Sequence, residues 1–268
     1  MSVSVAGSVR VAAALLAALL CGSVARAGAQ ALPPGSSWVE AGGFYHHVSD
    51  GFGSWTGGYA RAVLASARNA WYLDAKAQEA FKDRGAYGSL ANVHSFGSRF
   101  YTQLGIGGGT GKYVLPDLRL DGSLNLKLGR ARSVVLTAGG TYVKSKSVYR
   151  DKVAFGSLTW YARPNLLLEA GGRVNWSDPG AVRSERVSGA LTVGRVGATL
   201  VTLRGSSGTE GYQLVAPALA LRKFRSQEAG VALRQWIHRH LGVAAAGEWY
   251  HNPFYTRAGG SLGLFHAW

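Results

Sequence analysis

Residues Asp117 to Leu128 read DLRLDGSLNLKL and alternate without a break. Leu118, Leu120, Gly122, Leu124, Leu126 and Leu128 hold one parity; Asp117, Arg119, Asp121, Ser123, Asn125 and Lys127 hold the other. Side chains of a strand alternate between two faces, so this stretch predicts a strand with one leucine face and one charged face. A helix would scatter the same leucines around its circumference. Such a strand, rising ~3.3 Å per residue and tilted by ~40°, covers roughly 30 Å, the thickness of a bilayer's hydrocarbon core. Two folds accommodate it: a membrane barrel with the leucines toward lipid, or a soluble sandwich with the leucines in its core.

The two-faced pattern recurs along the chain. Trp71, Leu73, Ala75 and Ala77 alternate with Tyr72, Asp74, Lys76 and Gln78. Leu166, Leu168, Ala170, Val174 and Trp176 alternate with Glu169, Gly171, Arg173 and Asn175, and Val187, Gly189, Leu191 and Val193 with Arg186, Ser188 and Thr192. Turn residues separate these segments, as at Ser49-Asp50-Gly51, Gly129-Arg130-Ala131, Arg163-Pro164-Asn165, Asp178-Pro179-Gly180 and Gly205-Ser206-Ser207-Gly208. Breaking the chain at every such signal yields fifteen strand-like segments, among them 184–195, 197–205, 211–223 and 227–237. A single-chain outer-membrane barrel has an even strand number. The short pair 184–195 and 197–205 and the boundary at Phe96 to Arg99 are the weakest divisions, which sets the expected number at about 14, with 12 or 16 also compatible.

Aromatics near predicted strand ends (Trp71, Tyr142, Trp176, Trp236, Trp249 and Trp268) fit the interfacial girdles of a membrane barrel. Near the C-terminus Gly260, Leu262, Leu264, His266 and Trp268 share one parity. A strand of this kind stopping on an aromatic is what outer-membrane barrels present to their assembly machinery, which makes Leu262, Leu264 and Trp268 the expected assembly signal. The prediction is an all-β protein: a transmembrane antiparallel up-and-down β-barrel.

Composition agrees. Of 268 residues 38 are glycine, 7 proline, 8 tryptophan, 12 tyrosine and 9 phenylalanine. That mixture suits many strands and tight turns, and 47% hydrophobic content argues against disorder. Residues 1–27 read as a secretory signal peptide: Arg10, the apolar run Val11 to Leu20, then Ala25-Arg26-Ala27 before Gly28. Residues 28–37 form a short linker and 38–268 the barrel. Cys21, the single cysteine, falls within the leader, so a mature chain cut after Ala27 has neither disulfides nor cysteine-bound metal. Loss of Arg10 and Arg26 leaves 27 basic residues against 14 acidic ones. In an exported chain that excess argues for a polar interior or lipid phosphates as its use, and against nucleic acid.

The mature chain, Trp38 to Trp268, resembles the YaiO-type outer-membrane β-barrel family. The resemblance lies in Leu115-Pro116-Asp117, Asn175-Trp176-Ser177-Asp178-Pro179-Gly180, Arg234-Gln235-Trp236, Glu248-Trp249-Tyr250-His251-Asn252-Pro253 with Tyr255 and Arg257, and Gly263-Leu264-Phe265. It implies an outer-membrane barrel of the Gram-negative cell envelope, without a catalytic signature, sometimes associated with surface-polysaccharide systems. Trp268 stands where the family usually has phenylalanine.

Candidate chemistry is sparse. Gly105 to Lys112, GIGGGTGK, fails as a phosphate loop, because Ile106 takes the first glycine position and Tyr113 follows the lysine; it reads as a flexible extracellular loop capped by Pro116. His238 and His240 flank Arg239 on one strand face, too little for a metal centre. No cofactor motif is present. Weak catalytic candidates are Glu248 and His251, with Tyr255 and, from the first strand's end, His46 or Asp50. By alternation the lumen should carry Arg61, Asp74, Lys76, Arg119, Asp121, Lys127, Glu169, Arg173, Arg186, Glu228, Arg234, Glu248 and Arg257, eight bases and five acids. The expected function is therefore structural or transport-type and non-enzymatic, a narrow passage or binding site for an anionic glycan or small solute. The alternative is a membrane-embedded lipid- or lipopolysaccharide-modifying hydrolase or acyltransferase. Expected partners are outer-membrane lipid and lipopolysaccharide, the barrel-assembly machinery and a surface polysaccharide.

Overall fold

The structure, a computed structural model, describes residues 36–216 and 219–268. The leader and all but the end of the linker lie outside the described residues. Fourteen strands follow in chain order: β1 (Trp38–Val48), β2 (Ser54–Ala65), β3 (Asn69–Ala80), β4 (Asp83–Ser95), β5 (Phe100–Gly109), β6 (Leu118–Leu128), β7 (Val134–Lys144), β8 (Arg150–Arg163), β9 (Leu166–Asp178), β10 (Val182–Gly194), β11 (Thr199–Ala216), β12 (Leu219–Trp236), β13 (Leu241–Asn252) and β14 (Tyr255–Ala267). Each pairs antiparallel with its sequence neighbours, and β1 pairs with β14, which closes the barrel. Closure leaves no sheet edge, so every strand amide has a partner even in hydrocarbon. The rim where Trp38 faces Ala267 is called the near rim below, and the opposite one the far rim.

β6 sits between β5 and β7 with Leu124 facing Thr102 and Ala138. Leu120, Leu124, Leu126 and Leu128 are exposed on the outer surface, whereas Arg119 and Asn125 are buried inside. Its neighbours repeat this: Leu104, Ile106, Leu136 and Leu158 face out. Trp71, Phe100, Trp160 and Trp268 mark the outer surface near one rim, and Tyr45, Trp176 and Trp249 near the other. Two aromatic bands thus bracket an aliphatic belt, as at a bilayer's two interfaces. Trp236 departs from the expectation. It turns inward and stacks edge-on with Phe265 at a centroid distance of 4.9 Å, because position 236 shares the parity of the buried Arg234.

Two other expectations are corrected. Gly205 to Gly208 is no turn but lies inside the long strand β11, with Ser206 facing Ser188 across the ladder, so 197–205 and the start of 211–223 are one strand. The remainder of 211–223 joins 227–237 in β12. Gly105 to Gly109 likewise belongs to β5, not to a loop. Gly105, Gly107 and Gly109 take the inward parity: a Cβ on Gly107 would come within 2.3 Å of the Tyr87 hydroxyl, so the missing side chain makes room for that ring.

Residues 110–117, which do form a loop, pack into the far mouth instead of standing free. Tyr113, Val114 and Leu115 join Trp55, Phe81, Tyr149, Phe224, Tyr250 and Tyr255 in a buried apolar cluster. Phe81 meets Trp55 and Tyr255 edge-on, at 5.0 and 5.7 Å between ring centroids. The Asp83 carboxylate fastens the loop by accepting the backbone N–H groups of Lys112, Tyr113 and Val114 at 2.8–2.9 Å. The Tyr113 hydroxyl donates to the Phe81 carbonyl. This aromatic plug closes the far end of the barrel.

Two predictions follow from this architecture. Leu124→Arg places a charge at mid-span on the lipid face and should lower stability by about 2–4 kcal/mol in urea titrations of vesicle-inserted protein; an unchanged midpoint would contradict the assignment of faces. Asp83→Ala leaves the loop's amides without their acceptor, and a loosening of about 2 kcal/mol raises the open population roughly 30-fold. Tryptic cleavage after Lys112, followed by mass spectrometry, should accelerate accordingly.

Candidate functional site

Below the plug lies a lumen whose polar side chains are delivered from every part of the wall. The thirteen charged residues expected there all take the inward parity of their strands. Alternation also brings in residues absent from the expected lumen set: Glu40 and His46 from β1, the latter expected only as a weak catalytic candidate, Asp151 from β8, and Arg204 and Glu210 from β11. Glu40 and His46 share a parity with Gly42 and Phe44, a signal hidden by the glycines and aromatics between them. Arg204 and Glu210 were obscured by the apparent break at Gly205 to Gly208. With the three carboxylates and one guanidinium among them, the inward set comes to nine bases and eight acids, so the expected excess of positive charge largely vanishes.

Most of these charges satisfy one another. Arg119 grips Asp121 on its own strand through Nε and Nη2 at 2.7 and 2.8 Å, and Thr141 donates to the same carboxylate. Arg61 lies 3.1 Å from Asp74 and 3.9 Å from Glu40, and Arg234 donates to Glu40 at 2.8 Å. Arg186 donates to Glu210 at 2.7 Å, and that carboxylate also accepts from Ser226 and Tyr250. Arg204 pairs with Glu248, whose other oxygen is 3.4 Å from His46 Nε2. Such pairing is what makes buried ions tolerable, since an isolated buried charge costs several kcal/mol.

Two arginines stand apart. Arg257 is 1% exposed beneath the plug, its guanidinium 4.2 Å over the Trp55 ring and 5.3 Å from that of Tyr250, held by cation–π attraction. Arg173 lines the central cavity and, among the described residues, has no hydrogen bond or ion pair. Its cross-strand neighbour on β10 is Arg186, and on β8 it faces Phe155. Like charges directly opposite each other destabilise a sheet. Arg186 is drawn toward Glu210, which leaves Arg173 as the cation open to the cavity.

That cavity has a volume of about 370 Å³. It runs from Trp38 and Arg234 near one end to Arg186 and Glu228, and Thr137, Ser157, Ser188 and Ser206 add hydroxyls to its wall. The near mouth is narrowed by Arg234, whose guanidinium lies 4.4 Å over Trp38 and 4.2 Å over Phe265.

Of the catalytic candidates only Glu248 and His46 meet, in the lumen, at 3.4 Å. Glu248 points into the lumen, whereas His251, of opposite parity on β13, is exposed on the outer surface, where it stacks on Trp249 and hydrogen-bonds Thr256. Tyr255 is buried in the plug with Gln213 as its donor, and Asp50 is exposed beside Ser49. A strand's strict alternation is what separates Glu248 from His251, three positions apart.

Known structures share the architecture. An outer membrane channel from Pseudomonas putida F1 superposes with a TM-score of 0.56 at 11% identity, over 89% of this chain and 97% of that one. The CymD monoaromatic hydrocarbon channel gives 0.57 at 6% identity, over 88% of each chain. At such identities the likeness establishes the fold alone. No curated protein matches the chain in sequence. The model of the YaiO membrane β-barrel domain, by contrast, matches residues 37–213. That match covers most of the sequence, from β1 into β11, and the chain belongs to the YaiO membrane β-barrel family.

Proposed function

We propose that this protein is a transport-type outer-membrane barrel whose lumen takes a small anionic solute or a short acidic glycan. The observation that carries the reading is Arg173: a cation that makes no ion pair among the described residues, set opposite a second arginine and open to a polar cavity. An unpaired charge in that position costs stability, and a carboxylate, sulfate or phosphate group seated against it would offset the cost. The two similar structures are described as channels, which supports a transport role. A lumen carrying nine bases and eight acids suits a charged solute better than a hydrocarbon. Selectivity for anions then rests on one uncompensated site, not on a general surplus of positive charge.

Short turns mark the periplasmic side of an outer-membrane barrel and longer loops the outer side. The longest connection, residues 110–117, belongs to the far rim, which places the plug outside and the Arg234 constriction toward the periplasm. Passage requires the Asp83-anchored loop to move. We read the barrel as non-enzymatic, with outer-membrane lipid and lipopolysaccharide as its surroundings.

Planar-bilayer recordings test this. The Asp83→Ala barrel, with its loop released, should conduct in discrete steps and prefer chloride over potassium in a salt gradient. Adding Arg173→Gln should move the reversal potential toward zero. The same substitution should stabilise the empty barrel by about 0.2–1 kcal/mol, because it removes a like-charge contact. Cation preference, or a reversal potential indifferent to residue 173, would overturn the proposal.

A further inference from the structure

The near rim carries a second feature, unrelated to the lumen. Six connections lie there: residues 66–68, 96–99, 129–133, 164–165, 195–198 and 237–240. Each contains an arginine or is flanked by one: Arg68, Arg99, Arg130 with Arg132, Arg163, Arg195 and Arg239. All seven are exposed, and among the described residues none makes a side-chain hydrogen bond or an ion pair. None of the six connections contains an aspartate or glutamate. The far rim is built differently. Its bases are mixed with Glu79, Asp117 and Glu185, which pair with Arg84, Lys146 and Arg183 respectively.

We propose that the seven arginines form a ring that binds anionic phospholipid headgroups in the leaflet at the near rim. Three observations favour lipid over a soluble acidic partner. The charges encircle the whole circumference, whereas a docking protein needs one continuous patch on one side. They sit just beyond the aromatic band formed by Trp71, Phe100, Trp160 and Trp268, which is the depth of lipid phosphates. The turns are too short to carry the guanidinium groups far from that plane. Each guanidinium offers a planar fork of donors matched to phosphate oxygens, with no competing carboxylate among its neighbours in the turn. The far rim, with its paired charges, lacks this selectivity, so the ring distinguishes the barrel's two faces and opposes inverted insertion.

The test is lipid retention. The full barrel is reconstituted into equimolar phosphatidylcholine and phosphatidylglycerol, released in mild detergent and weighed by native mass spectrometry. Retained phosphatidylglycerol should exceed phosphatidylcholine roughly fivefold or more, and high salt should abolish the excess. Neutralising the ring (R68Q/R99Q/R130Q/R132Q/R163Q/R195Q/R239Q) should return the ratio to parity, while the far-rim variant R84Q/R150Q/R183Q keeps it. Should the sevenfold variant not fold, the half-rings R68Q/R99Q/R130Q/R132Q and R163Q/R195Q/R239Q should each lower the ratio. Parity in the unmodified protein, or an excess that survives both half-ring variants, overturns the proposal. So does ring-dependent binding of soluble polyglutamate without lipid enrichment, which would assign the ring to an acidic polymer.

Discussion

In hydrocarbon a backbone amide without a partner costs several kcal/mol, and that penalty governs this molecule. Fourteen strands meet it by closing β14 onto β1, from Trp38 against Ala267 to Val48 against Arg257. Once the ring is closed, alternation becomes obligatory: one parity of each spanning segment meets lipid and the other meets the interior. The leucines of β6, with Leu104, Ile106, Leu136 and Leu158 on nearby strands, take the first role. Everything ionisable in the spanning wall is thereby pushed into a narrow lumen.

The interior has adapted to that crowding with ion pairs that reach beyond adjacent strands. Arg234 on β12 meets Glu40 on β1, with β13 and β14 between them around the ring, and Glu40 also lies 3.9 Å from Arg61 on β2. Arg204 on β11 reaches Glu248 on β13, and Glu210 gathers groups from β10, β12 and β13. The Arg234–Glu40, Arg204–Glu248 and Tyr250–Glu210 contacts act as cross-braces between strands that share no backbone hydrogen bonds. Among the described residues Arg173 and Arg257 take part in no such brace: Arg257 is buried beneath the plug, and Arg173 faces the cavity.

Much of this was legible in the sequence, because period-two alternation is a local property. The barrel class, the faces of β6 and the inward direction of thirteen charged residues follow from parity alone. What escaped was whatever parity does not encode. Gly205 to Gly208 carries the composition of a turn, yet the ladder to β10 holds it extended through Ser206 and Ser188, so two strands were read as three segments. Trp236 was placed by its type, not by the parity it shares with Arg234. The pairing of Glu248 with His251 rested on closeness in the chain, which alternation defeats. The plug was unreadable for another reason: Tyr113, Leu115, Phe81 and Phe224 converge only after the barrel has formed, and no local pattern announces it.

That convergence bears on how the protein is made. The plug draws Val48 and Trp55 from the beginning of the barrel, Tyr113 and Leu115 from its middle, and Tyr250 and Tyr255 from its last hairpin. Contacts separated by some two hundred residues form only after the intervening chain is ordered, and closing such long loops is slow. The apolar cluster therefore needs both ends of the chain already in place, and a barrel that lacked a strand or had slipped in register would leave its aromatic residues exposed to water.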